Sequence, residues 1–281
     1  MLLSSITLSL FTLSAKFGTN TAPYFLLIFL RFGIPFLLLL PFLLWTTSIK
    51  ELFLTKSFKI QLLRCGCLLI YQYSIFYYLI YASVLDATVM QNTAPLFIPI
   101  LEWVFFKHRF EKKVILSICI SFIGVLCILQ PDKSIFAQLS IAGILAPLGQ
   151  AGSQVLYRHQ AKNENQKSTL FYLFFLCSSV SAIALVVSKE LFGKTYSLEH
   201  YTSLFWVNIL CLGVASILSQ LFRGEAYKHG KASALAPFLY ASIIFSAILD
   251  WVMFHDLPNW LSLIGALLVI GGGLIQVYKR K

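Results

Sequence analysis

Long apolar runs separated by short polar clusters recur along all 281 residues, and this alternation constrains the fold more than any motif does. A membrane-crossing helix needs about 20 predominantly apolar residues at about 1.5 Å rise each. The first half offers five such runs: Leu2–Ala15, Tyr24–Trp45, Leu62–Tyr81, Val84–Phe106 and Val114–Gln130. The second half offers five more: Leu139–Tyr157, Leu170–Val187, Leu204–Phe222, Ser233–Phe254 and Trp260–Tyr278. Only 12% of the residues are charged, 58% are hydrophobic, and the mean hydropathy is +0.81. Soluble domains carry roughly a quarter charged residues, so lipid is the solvent for this surface. The composition predicts an all-α integral membrane protein of ten transmembrane helices, and excludes a disordered chain and a disulfide scaffold. The first run is rich in Ser and Thr and lacks the basic n-region and cleavage site of a signal peptide.

Lys and Arg translocate poorly in short loops, so they predict orientation. With both termini cytoplasmic, seventeen basic residues fall inside, among them Lys50, Arg64, Lys107, Arg158, Arg223 and Lys279. Four fall outside, Lys16, Lys133, Lys189 and Lys194, and Arg31 lies within span two. This asymmetry accounts for most of the net charge of +11 without any nucleic-acid partner.

Shifting the chain by 148 residues lays Glu102-Trp103-Val104-Phe105-Phe106 on Asp250-Trp251-Val252-Met253-Phe254, Gly124 on Gly272 and Gln72 on Gln220. Residues 1–130 and 139–281 are therefore expected to be two related five-helix repeats. Five is odd, so the second copy enters the membrane inverted, the architecture of many secondary transporters. No Walker-type loop appears.

The stretch from Tyr81 through Asn92-Thr-Ala-Pro95 and Glu102 to Lys107-His108-Arg109, followed by Ile123-Gly124-Val125-Leu126, carries a family likeness. The second copy repeats it from His229-Gly-Lys-Ala-Ser-Ala-Leu-Ala-Pro237 through Phe254-His-Asp256 to Gly271-Gly272-Gly273. Together with Arg31 and the Pro95-Leu-Phe97 segment, these residues resemble the EamA branch of the drug/metabolite transporter superfamily. The chain departs from that pattern at Lys107-His108-Arg109, where the family usually has Gly-Glu-Arg. It departs again at Glu102 and Asp250, where small apolar residues are usual. The resemblance implies a bacterial inner-membrane carrier with a cavity lined mainly by spans one, three, four, six, eight and nine. It assigns spans five and ten to outer scaffold or homodimer contact.

Ionisable groups at membrane depth are costly and mark functional candidates. Glu102 and Asp250 are the intramembrane acids, and Glu102 shares a helical face with Gln91, Pro95 and Ile98. An anchor from Glu102 to Lys107 or Arg109 is the structural alternative. Arg31 and Asp250 come to similar depths, which makes an ion pair geometrically feasible. Span three concentrates Tyr71, Gln72, Tyr73, Phe76, Tyr77, Tyr78 and Tyr81 in its outer half. Aromatic faces can stack on a planar base or attract a cation, while an interfacial belt explains the outermost tyrosines. Gln150, Ser153, Gln154 and Tyr157 share a face of span six. Gln220 and Tyr240 complete the candidate substrate contacts. The six cysteines lie in apolar spans, where buried cysteine is the default, and neither metal nor other cofactor is expected.

No nucleophile, acid–base pair or metal cluster collects at one depth, so a carrier is expected rather than an enzyme. Acids beside Tyr and Gln suit a cationic, aromatic solute, whereas an anion carrier calls for more than a single buried Arg. Within the family the chain resembles carriers that take up S-adenosylmethionine in exchange for S-adenosylhomocysteine. Export of amino acids or other small metabolites is the alternative.

Overall fold

The computed structural model describes residues 1–7, 23–81, 92–107, 111–129, 141–192, 201–245 and 260–277. Among them every regular element is helical. Residues 2–7 form α1. The elements that follow are α2 (Tyr24–Thr46), the short α3 (Ile49–Phe53), α4 (Phe58–Tyr81), α5 (Ala94–Phe106) and α6 (Lys112–Leu129). Beyond them lie α7 (Ile141–Asn163), α8 (Gln166–Phe192), α9 (Ser203–His229), α10 (Ala232–Leu235) and α11 (Trp260–Val277).

Three of these, Tyr24–Thr46, Gln166–Glu190 and Ser203–His229, are by themselves long and apolar enough to cross a membrane, and Ala94–Phe106, Ala232–Phe245 and Leu263–Gly272 are shorter apolar segments. Large apolar side chains such as Trp45, Ile183, Leu204 and Leu267 are exposed along the outer helix faces. Lipid satisfies such surface where water would not. Every backbone polar group must then be satisfied internally, which helices achieve.

Several helices run past the apolar segments that mark them in the sequence. The fourth begins at Phe58, the seventh continues to Asn163 and the ninth to His229. A hydropathy reading stops where polar residues cluster, but backbone hydrogen bonding does not. Span nine departs in the other direction. After α10 the chain tightens into a 3₁₀ segment over Ala236–Tyr240, with Pro237 in its first turn, before helix resumes over residues 241–245. Proline supplies no N–H to a continuing α-helix, so its position suits the break.

The helices pack as α4 on α7, α6 on α11, and α2 on α8, while α9 lies against both α2 and α7. Glycine sets the closest of these approaches. A Cβ at Gly149 of α7 would lie 2.6 Å from the Cys67 carbonyl oxygen and 2.8 Å from the Tyr71 nitrogen of α4. At Gly124 the Cβ would meet the Gly265 carbonyl oxygen at 2.6 Å, and at Gly272 the Ser117 carbonyl oxygen at 2.8 Å. The expected outer spans five and ten thus pack on one another within the chain.

Candidate functional site

A small chamber opens where α2, α4, α7 and α9 meet. From α2 comes Arg31; from α4 come Arg64, Leu68 and Tyr71; from α7 come Gln150, Ser153, Gln154 and Tyr157; and from α9 come Ser216, Ser219, Gln220 and Arg223. The last two sets have i, i+3, i+4, i+7 spacing, which puts each on one helical stripe. Residues 64, 68 and 71 have the i, i+4, i+7 version of it. Otherwise apolar helices are in this way made polar along one line, and the lines converge.

Arg64 organises the chamber. Only 1% of it is exposed. It donates from Nη1 to Gln160 Oε1 at 2.9 Å and from Nη2 to Gln220 Oε1 at 3.1 Å, and its guanidinium carbon lies 3.6 Å from the Tyr157 ring centre. Tyr157 donates its hydroxyl to the Gln220 carbonyl oxygen at 2.6 Å. Gly224 permits this approach, because a Cβ there would lie 2.3 Å from that hydroxyl. Behind Arg64 the polar chain continues: Gln160 donates to Gln61 at 2.7 Å, and Gln61 donates to Glu164 at 3.2 Å. Glu164 also accepts from the Thr55 hydroxyl at 2.6 Å and the Ser57 backbone N–H at 3.1 Å. On the α9 side, Tyr227 donates to Gln154 at 2.7 Å.

The sequence candidates divide on this geometry. Tyr71, Gln150, Gln154 and Gln220 line the chamber, as does Arg31. Gln72 is 1% exposed and accepts a hydrogen bond from Arg31. Gln72 and Gln220, which the 148-residue shift aligns in sequence, thus each accept a hydrogen bond from an arginine, Arg31 and Arg64 respectively. Tyr73 stands aside, its ring 6.1 Å from that of Phe25. Tyr240 packs with Val125, Ile243 and Val269 in a separate apolar cluster.

Glu102 is placed elsewhere than the cavity wall. It is 2% exposed and accepts from the Ala232 N–H at 3.0 Å and the Ser233 N–H at 3.3 Å. The carboxylate therefore satisfies free donors at the start of α10, and among the described residues it forms no ion pair with Lys107. Arg109, Gln91 and Asp250, and with Asp250 the expected Arg31 ion pair, lie outside the described residues, and so does the side chain of Phe76.

The structure adds two arginines that are not among the sequence candidates. Arg64, inside the run Leu62–Tyr81, and Arg223, one residue past the run Leu204–Phe222, are counted by charge with the cytoplasmic basic residues, and both sit within helices and line the chamber. The signal that reveals them is their register: each falls on the stripe of its helix with Tyr71 or with Ser216, Ser219 and Gln220. The expectation of a single buried Arg is overturned with them. Of the spans expected to line the cavity, three, six and eight do so, joined by span two.

A polar chamber among apolar helices is the arrangement of a multi-pass membrane protein, and the family and relatives that this chain matches make it a small-molecule transporter, not an enzyme. The chain belongs to the EamA-like transporter family, whose model matches residues 1–130 and 139–278. It is 25% identical over 270 residues to a pseudopaline exporter of Pseudomonas aeruginosa, covering 95% of this chain and 91% of that one. It is 27% identical over 281 residues to an S-adenosylmethionine uptake transporter of Rickettsia prowazekii, covering 100% and 92%. A riboflavin transporter of Brucella anthropi is 24% identical over 260 residues, covering 92% and 89%. A solved structure described only as "Crystal structure of protein" shares the fold, with a TM-score of 0.81 at 18% identity over 99% of this chain and 96% of that one.

Proposed function

We propose that this chain is a secondary transporter of the bacterial inner membrane, in which residues 1–130 and 139–281 act as inverted five-helix repeats with both termini cytoplasmic. Its solute crosses through the chamber between α2, α4, α7 and α9. One observation carries this reading: guanidinium, phenol and amide groups from both family-matched segments converge on one space between α2, α4, α7 and α9. The free volume there is about 50 Å³, against roughly 10–15 Å³ for one water-sized sphere. A metabolite needs more room, so binding requires the helices to separate, as rocking halves would allow.

For the solute we propose S-adenosylmethionine, taken up in exchange for S-adenosylhomocysteine. The Rickettsia relatives named for that uptake support this. So do Tyr71 and Tyr157 in the lining, whose rings can stack on a base. Glu102 is no partner for the sulfonium, because its carboxylate is engaged at α10. Export of amino acids or other small metabolites is the second reading, favoured by the surplus of guanidinium over carboxylate in the lining.

The test is uptake of labelled S-adenosylmethionine into proteoliposomes, with S-adenosylhomocysteine loaded inside or omitted. Uptake accelerated by the trapped homocysteine form is expected. Uptake no greater than in empty liposomes, with inserted and folded protein, would overturn the substrate and direct a labelled panel to amino-acid export.

A further inference from the structure

Among the described residues, three arginines and no acidic residue line the chamber. Arginine stays protonated under all ordinary conditions, and a buried cation without a counter-charge is strongly unfavourable. Arg64 donates to the neutral amides of Gln160 and Gln220, and its Nε hydrogen has no acceptor. Arg223, 9% exposed, reaches the Ser219 hydroxyl at 3.4 Å, and its Nε also lacks an acceptor. Among the described residues neither has a carboxylate within ion-pair distance. Neutral amides orient these guanidiniums without cancelling their charge. The Tyr157 ring beneath Arg64 stabilises the cation and leaves its edge donors to be satisfied.

We propose that Arg64 and Arg223 form an oxyanion site, and that every solute the carrier moves brings a carboxylate or phosphate to it. The proposal rests on the transporter reading and narrows its substrate class. Guanidinium is suited to this chemistry because its planar N–H fork matches two oxygens of one anion. A cation lacking an oxyanion is excluded, since it would add charge to a space that already holds an excess of the same sign. The same requirement applies to both members of an exchanged pair: whichever solute occupies the chamber supplies the counter-charge. S-adenosylmethionine and its homocysteine product meet this condition through their amino-acid carboxylates, and so would more acidic metabolites.

The test is thermal unfolding of the purified full chain in detergent, followed by tryptophan fluorescence, which reads binding whichever solute the carrier transports. Citrate, glutarate and glycerol phosphate are the oxyanion probes. Glutaramide is the neutral analogue of glutarate, and sodium chloride matches ionic strength. Saturable stabilisation by about 2–4 °C is expected with at least one oxyanion and with neither control. The half-saturating concentration should rise about tenfold in Arg64→Gln and in Arg223→Gln, and remain near the original value in Lys50→Gln. Should Arg64→Gln fail to fold, Arg223→Gln carries the comparison. No stabilisation by any oxyanion, equal stabilisation by glutaramide, or unchanged half-saturation in Arg223→Gln would overturn the site. Oxyanion binding without S-adenosylmethionine uptake in the liposome assay would instead overturn the substrate named above and leave the site standing.

Discussion

Arg64 and Tyr157 are stacked, guanidinium carbon to ring centre at 3.6 Å, and both also bind Gln220, Arg64 through the amide oxygen at 3.1 Å and Tyr157 through the backbone carbonyl at 2.6 Å. Three helices are tied together by this triangle, and its centre is a desolvated cation on an aromatic face. Such contacts contribute up to about 2 kcal/mol when water is excluded. Tyr157→Phe keeps the ring and loses only the hydroxyl bond, so the half-saturating solute or oxyanion concentration should stay within about threefold of the original. Tyr157→Leu removes the ring and should raise it about tenfold or more. Equal effects of the two variants, measured by titration in the thermal assay, would show that the hydroxyl and not the stack matters.

Glu102 predicts a different signature. Its carboxylate holds the Ala232 and Ser233 N–H groups at the start of α10. Glu102→Ala leaves both buried donors without an acceptor and should cost about 2–4 kcal/mol of stability, seen as a lowered unfolding midpoint. Half-saturation of the remaining folded protein should change less than about twofold, because the residue lies away from the chamber lining. A large loss of affinity with an unchanged midpoint would return Glu102 to the binding site.

Two glycines provide a matched pair for the α4–α7 contact. Gly149→Ala drives a methyl against the Cys67 carbonyl and the Tyr71 backbone, which should destabilise the protein by about 1–3 kcal/mol and displace Tyr71. A Cβ at Gly66 meets nothing within 4 Å, so Gly66→Ala should leave the midpoint unchanged or slightly raised. Circular-dichroism melts of both variants decide the matter.

The Glu164 carboxylate takes hydrogen bonds from Thr55, Ser57 and Gln61. Glu164→Ala should free the segment between α3 and α4, raising hydrogen exchange at the Ser57 amide by about tenfold. Exchange there that is no faster than in the original chain would show that packing of Leu52, rather than the carboxylate, fixes the segment.

How far the sequence alone reaches is seen in particular residues. Apolar runs and their length determined the helices and the lipid environment, because hydropathy is a sum over local residues and needs no partner. The Gln150, Ser153, Gln154 and Tyr157 stripe is legible for the same reason: helical period is local. Arg64 and Arg223 are legible only in part, because their register places them on such stripes but not in the chamber. Near the end of an apolar run an arginine that points into a loop and one that points into the bundle have the same neighbours in sequence. Glu102 poses the same ambiguity, and only the position of α10 beside α5 resolves it. Which charges meet one another, and which meet none, depends on how α2, α4, α7 and α9 pack. That is why the polar lining of the chamber belongs to the tertiary structure, while the helices that carry it were determined by the sequence.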